Sequence, residues 1–174
     1  KVTDVAQLGE RKLAEDRELA AHPAIPGRNR FGGWADGPTF EDKKGGWGTV
    51  KYKGKWFLTD PEGKLFWSLG VNSIQLVEDP TGISFRENYF EELPPNEGAK
   101  KQFYTRKAFP RFGFYKGKGG NRDTNILQFY FMLHNVSLKY GDNYARKYLD
   151  RSQERLRSWG FNTNGNWLDA EILN

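Results

Sequence analysis

The residues with the most chemical potential fall in two short clusters. Asn72 and Ser73 follow the apolar run Leu65, Phe66, Trp67, Leu69 and Val71; Asn164, Asn166, Trp167 and Asp169 follow the second, shorter run that opens at Phe161. Asn and Asp side chains exchange hydrogen bonds with hydroxyl groups, and a Trp ring offers an apolar face to the C–H bonds of a pyranose. The same residue types also make turns at strand ends, so each of these positions admits a structural role beside the binding one. If the two runs are neighbouring parallel strands, both clusters lie at their C-terminal ends, which is the face where loops converge over the axis of a (β/α)8 barrel.

Other chemistries find less support. Asp150 and Glu154 stand four apart on a helix among Lys147, Arg151 and Arg155, an arrangement of ion-pair partners that keeps both carboxylates charged. Glycoside cleavage needs two carboxyl groups converging on one bond, and no such pair can be picked out; no catalytic residue is therefore named. His22 and His134 are far apart with no third histidine, which makes a metal site improbable. Gly117-Lys118-Gly119-Gly120 lacks the spacing and the following Ser or Thr of a phosphate-binding loop. With no cysteine, thiolate chemistry and disulfides are excluded.

These clusters must be positioned by the elements around them. Asp4 to His22, rich in Ala, Leu, Glu and Arg, reads as a surface helix ended by Pro23 and Pro26; a glycine-rich loop, Gly27 to Pro38, follows. From Gly48 the apolar period becomes two. Thr49–Lys53, Trp56–Thr59 and Leu65–Ile74 are expected as three strands of an antiparallel meander, turning at Lys53-Gly54 and at Asp60-Pro61-Glu62-Gly63. The third run is apolar almost throughout, as in a strand buried on both faces. Glu78 to Arg122 shows no sustained period and reads as a long loop. Thr124 to Tyr140 is expected as an apolar helix capped by Asp123 or Thr124. A second helix, capped by Asp142 or Asn143, would bury Tyr144, Tyr148, Leu149, Leu156 and Trp159 and expose Asp150, Arg151, Glu154 and Arg155. Gly160 closes it, and the strand from Phe161 completes a βαβ unit of a parallel sheet. Two parallel strands with no others would leave edges uncovered, which argues that the chain is part of something larger.

Length and composition bound the rest. The 174 residues suit one compact domain, and the aromatic share of 16% gives rings much of the burial. The net charge of +5 comes from 27 basic and 22 acidic residues interleaved along the chain. That is weak support for a nucleic acid partner, and an acidic or sulfated polysaccharide fits equally well. No stretch approaches the roughly eighteen apolar residues of a membrane span, and no signal-peptide pattern opens the sequence, so the chain is either cytoplasmic or lacks its original N-terminus.

Three strings taken together resemble the start of the catalytic domain of family-50 glycoside hydrolases, the β-agarases: Arg30 to Pro38 (RFGGWADGP), Gly54 to Asn72 (GKWFLTDPEGKLFWSLGVN), and Tyr140-Gly141 through Arg157 to Trp167 (RSWGFNTNGNW). The resemblance covers most of the chain and is weakest over Glu78 to Arg122. It implies an α/β fold: the first part of a (β/α)8 TIM barrel, preceded by a helix and an antiparallel meander, with residues 1–45 a helical and glycine-rich segment leading into the catalytic domain and 46–174 the meander and first two barrel strands. The implied activity is retaining hydrolysis of β-galactosidic linkages in agarose or related galactans, without a cofactor. The family's acid/base and nucleophile glutamates come from barrel strands four and seven, which this alignment does not reach. Substrate-binding residues would be Asn72, Ser73, Asn164, Asn166, Trp167 and Asp169. The implied partners are agarose or its oligosaccharides and the remainder of the barrel, as a second chain or segment, with neither nucleic acid nor membrane; the parent protein would be secreted or periplasmic. Two other readings stay open: a noncatalytic carbohydrate-binding module, normally a closed antiparallel sandwich, and a basic aromatic nucleic-acid module built on Lys51, Lys53, Lys55 and Trp56.

Overall fold

The computed structural model describes residues 4–76, 80–108, 113–115 and 125–173. The fold is mixed α/β, and the chain forms two compact units: Lys1–Gln75 with Ala145–Asn174, and the intervening Leu76–Tyr144. The boundary expected near residue 45 lies inside the first unit. Among the described residues no helix is long and apolar enough to cross a membrane.

In the first unit, α1 (Ala6–Ala21) begins where the Asp4 carboxylate accepts a hydrogen bond from the Ala6 N–H at 2.8 Å, satisfying a donor that the first helical turn leaves over. Val5 and Leu13 remain exposed, as befits a surface helix, but Leu19 and Glu15 are buried. Glu15 pairs with Arg155 and Asp16 with Arg151, tying α1 to α3 (Tyr144–Ser158). Those two arginines therefore do not belong to a free outer face as expected. Asp150 and Glu154 do stay exposed, each paired at 2.9 Å, with Arg146 and Arg151 respectively. Leu149 is the buried residue of α3. Trp159, which helical spacing placed in the buried stripe, lies beyond the last helical residue and is 57% exposed.

The meander forms as expected in its first two strands. β1 (Gly48–Tyr52) and β2 (Lys55–Thr59) pair antiparallel across Lys53-Gly54, where φ values of 48° and 80° give the double left-handed turn that matches the twist of a tight hairpin. Gly63 in the second turn has φ 70°, and a Cβ there would come 2.4 Å from the Phe40 carbonyl oxygen, so both conformation and space require glycine. The third expected strand is two strands. β3 (Leu65–Phe66) pairs with β2, whereas β4 (Gly70–Val71) leaves that sheet and pairs in parallel with β8 (Thr163–Asn164). Leu65 and Phe66 are buried, but Trp67 and Leu69 are exposed, so the apolar run is not one strand covered on both faces. The parallel pairing of β4 with the strand after α3 is the relation the βαβ pattern predicts.

The second unit overturns two expectations. The region read as a long loop contributes β5 (Thr81–Gly82) and β6 (Tyr104–Ala108), and the first half of the expected helix from Thr124 is instead β7 (Asn125–Phe129), the central strand of an antiparallel sheet ordered β5-β7-β6. Ile126, Gln128 and Phe129 are all buried; with both faces covered, the apolar run loses its period of two and imitates a buried helix. The helix itself is α2 (Phe131–Tyr140), while its expected caps, Asp123 and Thr124, and the loop 117–120 lie outside the described residues. The core joins Ile83, Phe103 and Phe129, with Phe90 stacked on Phe131 at 5.4 Å. His134 packs edge-on against Phe103 and Phe129; burial there, and then the neighbouring Lys100, hold its pKa below the usual histidine value.

Candidate substrate-binding site at the ends of the parallel strands

The expected site residues gather in the first unit. Beyond the β4–β8 ladder the backbones continue to pair: Gly165 N–H donates to the Val71 carbonyl at 2.8 Å, Ser73 N–H to the Asn166 carbonyl at 2.8 Å, and Asp169 N–H to the Ile74 carbonyl at 3.0 Å. Asn72, Ser73, Asn166, Trp167 and Asp169 thus lie on two adjoining segments that leave the same end of the sheet.

Their side chains differ in what they are committed to. The Asn72 Oδ1 accepts from the Asn166 N–H at 2.9 Å, fastening one segment to the other. A Cβ on Gly165 would lie 2.0 Å from that oxygen, so the glycine makes room for the amide. Asn164 donates through Nδ2 to the Gln153 Oε1 at 3.1 Å, which commits it to α3. Asn72, Ser73, Asn166 and Trp167 are exposed, and Asp169 is half-buried. Trp167 is 64% exposed, so its indole is not core packing. Ser73 and Trp167 hold φ values of 62° and 56°. Left-handed backbone is uncommon for residues with a Cβ and tends to persist where surrounding contacts impose it, often at functional sites.

A second network went unnoticed in the sequence. Asn162 accepts the Leu69 N–H through Oδ1 at 2.8 Å and donates through Nδ2 to the carbonyls of Gly32 at 3.1 Å and Trp67 at 2.9 Å. One amide therefore joins the entry of β4, the entry of β8 and the glycine-rich loop. In that loop, Asn29 donates to the Asp60 and Glu62 carboxylates at 2.6 and 2.8 Å and accepts the Gly33 N–H at 2.8 Å. The buried Asp60 also accepts the Glu62 and Lys64 N–H groups at 2.9 and 3.0 Å, which makes it a turn-former and not an acid catalyst. An Asn four residues after the end of a helix and next to a strand is the only sequence signal for Asn162, and it is a weak one.

Two hollows lie in the first unit, one beside β8 and one against the meander and the glycine-rich loop. One of about 500 Å³ borders Arg28, Phe31, Leu156, Arg157 and Asn164, and one of about 550 Å³ borders Trp34, Tyr52, Phe57 and Trp67. Of the expected residues only Asn164 touches either. Because the described parallel sheet has two strands, the hollow beside β8 is what an open sheet edge produces, and it carries less weight than the paired strand ends.

No protein-family model matches the chain. Beta-agarase B of Vibrio sp. (strain JT0107) is 30% identical over 189 residues, covering 97% of this chain and 19% of its own length. Beta-agarase A of the same strain is 27% identical, covering 97% of this chain and 17% of its own. Among solved structures, the agarase AgWH50C superposes with a TM-score of 0.79 at 29% identity over 100% of this chain and 25% of its own, and PfGH50B with 0.77 at 30% over 97% and 25%. An exo-β-agarase at 24% identity and a TM-score of 0.69 shares the fold. The chain spans about a fifth of the length of the curated relatives it matches. Over nearly its whole length it is thus related, in sequence and in structure, to one segment of the family-50 β-agarases.

Proposed function

We propose that this chain is the opening part of the catalytic (β/α)8 barrel of a secreted or periplasmic retaining β-agarase, with β4 and β8 as the first two barrel strands. The observation that carries this reading is the parallel β4–β8 pair, whose C-terminal ends join the exposed Asn72, Ser73, Asn166 and Trp167 through continued backbone pairing. In a barrel that end faces the substrate. Asn72 Nδ2 and the Asn166 amide reach sugar hydroxyls there, Trp167 stacks on a pyranose face, and Asp169 and Asn164 hold the loop. The cleavage itself falls to two glutamates on later strands of the complete enzyme. One protonates the departing glycosidic oxygen while the other attacks the anomeric carbon; the first then takes a proton from water, which displaces the enzyme carboxylate and restores the original anomeric configuration. The partners are an agarose chain and the remaining barrel segments, and no cofactor enters.

The test is hydrolysis of agarose by the complete parent protein, followed by NMR of the first-formed anomer. Release of oligosaccharides with retained β configuration is expected. Release of the α anomer would overturn the retaining mechanism, and no release would overturn the agarase reading.

A further inference from the structure

The outer face of the β1–β2 hairpin is a separate surface, built from residues the proposed cleft does not use. Trp56 on β2 is 71% exposed, more than any other large apolar residue described in the chain. Its directly opposed partner on β1 is Lys51. Counting back from the two-residue turn, Tyr52 and Lys55 form the hydrogen-bonded pair and Lys51 and Trp56 the next, non-hydrogen-bonded one, in which side chains approach more closely. Lys53 stands in the turn, and Lys55, paired with Tyr52, lies at the tip on the face opposite Trp56.

Charge at this end is one-sided. From Lys43 to Thr59 the sequence contains no Asp or Glu, and Lys43 and Lys44 are already paired with Asp42 and Glu41. Lys51, Lys53 and Lys55 have no carboxylate partner among the described residues. A bare indole on a rigid strand, at a hairpin end with three ammonium groups that no carboxylate neutralises, one of them Lys53 lying 5.3 Å over the Tyr52 ring, matches a ligand that is apolar on one face and anionic at its edge.

We propose that Trp56 with Lys51 and Lys53, and with Lys55 adding positive charge at the hairpin end, forms a second, noncatalytic binding platform for a sulfated galactan. The indole stacks on the C–H face of one galactose unit, and Lys51 and Lys53 make charge-assisted hydrogen bonds to sulfate esters. The choice of a galactan rests on the agarase reading; the preference for a sulfated chain rests on the hairpin's own charge. Single-stranded nucleic acid fits less well, because it stacks successive bases on successive rings. On this face the neighbours of Trp56 are Thr49 and Leu58, and the next ring, Trp47, is engaged edge-on by Phe66 at 4.7 Å.

Affinity electrophoresis of the 174-residue chain through gels containing carrageenan tests this. Expected results are retardation that weakens with added salt, about tenfold weaker binding for Trp56→Ala, an intermediate value for Trp56→Tyr, and loss of the salt-sensitive part in the Lys51→Ala/Lys53→Ala/Lys55→Ala variant. Absence of retardation, equal retardation of Trp56→Ala, or tighter binding to single-stranded poly(U) would overturn the proposal. Agarose hydrolysis by the complete parent separates the two readings. An inactive parent whose carrageenan binding still depends on Trp56 leaves this platform standing and removes the agarase. An active parent indifferent to Trp56 does the reverse.

Discussion

Replacing Trp167 by glycine and by alanine in the complete parent protein should move stability and the proposed activity in different ways. The ring is 64% exposed, leaving about a third of it covered. On a side chain that can bury roughly 200 Å², that is about 70 Å², or close to 2 kcal/mol at ~25 cal/mol/Å². Either substitution loses this contribution. Glycine regains something alanine does not, because φ is 56° and a Cβ in left-handed backbone costs about 1–2 kcal/mol. Urea denaturation should therefore find Trp167→Gly within about 1 kcal/mol of the parent and Trp167→Ala about 2 kcal/mol less stable. If the indole stacks on substrate, a contribution of roughly 1–3 kcal/mol disappears from both, and kcat/KM on agaro-oligosaccharides falls about tenfold or more in each. Full activity in the alanine variant would remove Trp167 from the cleft. A glycine variant less stable than the alanine variant would refute the assignment of strain to this backbone.

Gly165→Ala should be strongly destabilising, since its Cβ would meet Asn72 Oδ1 at 2.0 Å and the Val71 carbonyl oxygen at 2.7 Å; adding Asn72→Ala should recover only part of the loss in a double-mutant cycle, because the backbone contact remains. His134 has a lowered pKa in the folded state, so its protonation favours unfolding: stability should be constant above the unfolded value near ~6.5 and decline as pH falls below it, and urea midpoints of His134→Gln should show a shallower decline. The purified 174-residue chain should release no reducing sugar from agarose, and release at a rate comparable to a full-length relative would contradict the proposal that the cleaving glutamates lie on later strands.

Local chemistry made the meander readable. Lys53-Gly54 and Asp60-Pro61-Glu62-Gly63 are turns whose conformational demands show in residue type, and the strands between them alternate. The parallel pair was also readable, as an apolar run, a helix and a second run. Trp67 to Leu69 was misread because a chain leaving one sheet for another can stay apolar throughout the transfer, and the pattern does not mark the handover. The sheet of the second unit was hidden for two reasons: β5 is two residues long, and β7 is covered on both faces. At the site, strand ends could be located from the pattern, but the division of labour among the asparagines could not. Asn162 spends its amide on three backbone groups and Asn164 on Gln153, whereas periodicity treats both as generic polar residues at a strand.

The parallel pair has a consequence for the order of folding. Gly70 and Thr163 are direct partners yet lie 93 positions apart in the chain (163 − 70), so their pairing must close a long loop. The second unit occupies 69 of those positions (76 to 144) and has its own aromatic core. Once that core has formed, the flexible part of the loop shrinks to about 24 residues, and the logarithmic law for loop closure lowers the entropic barrier by about 1.2 kcal/mol, close to an eightfold gain in the chance of encounter. During synthesis the same arithmetic applies in time. β4 emerges well before β8 and must wait for it, at ribosomal rates for several seconds. The inserted unit thus shortens the search for a strand pair on which the proposed cleft depends.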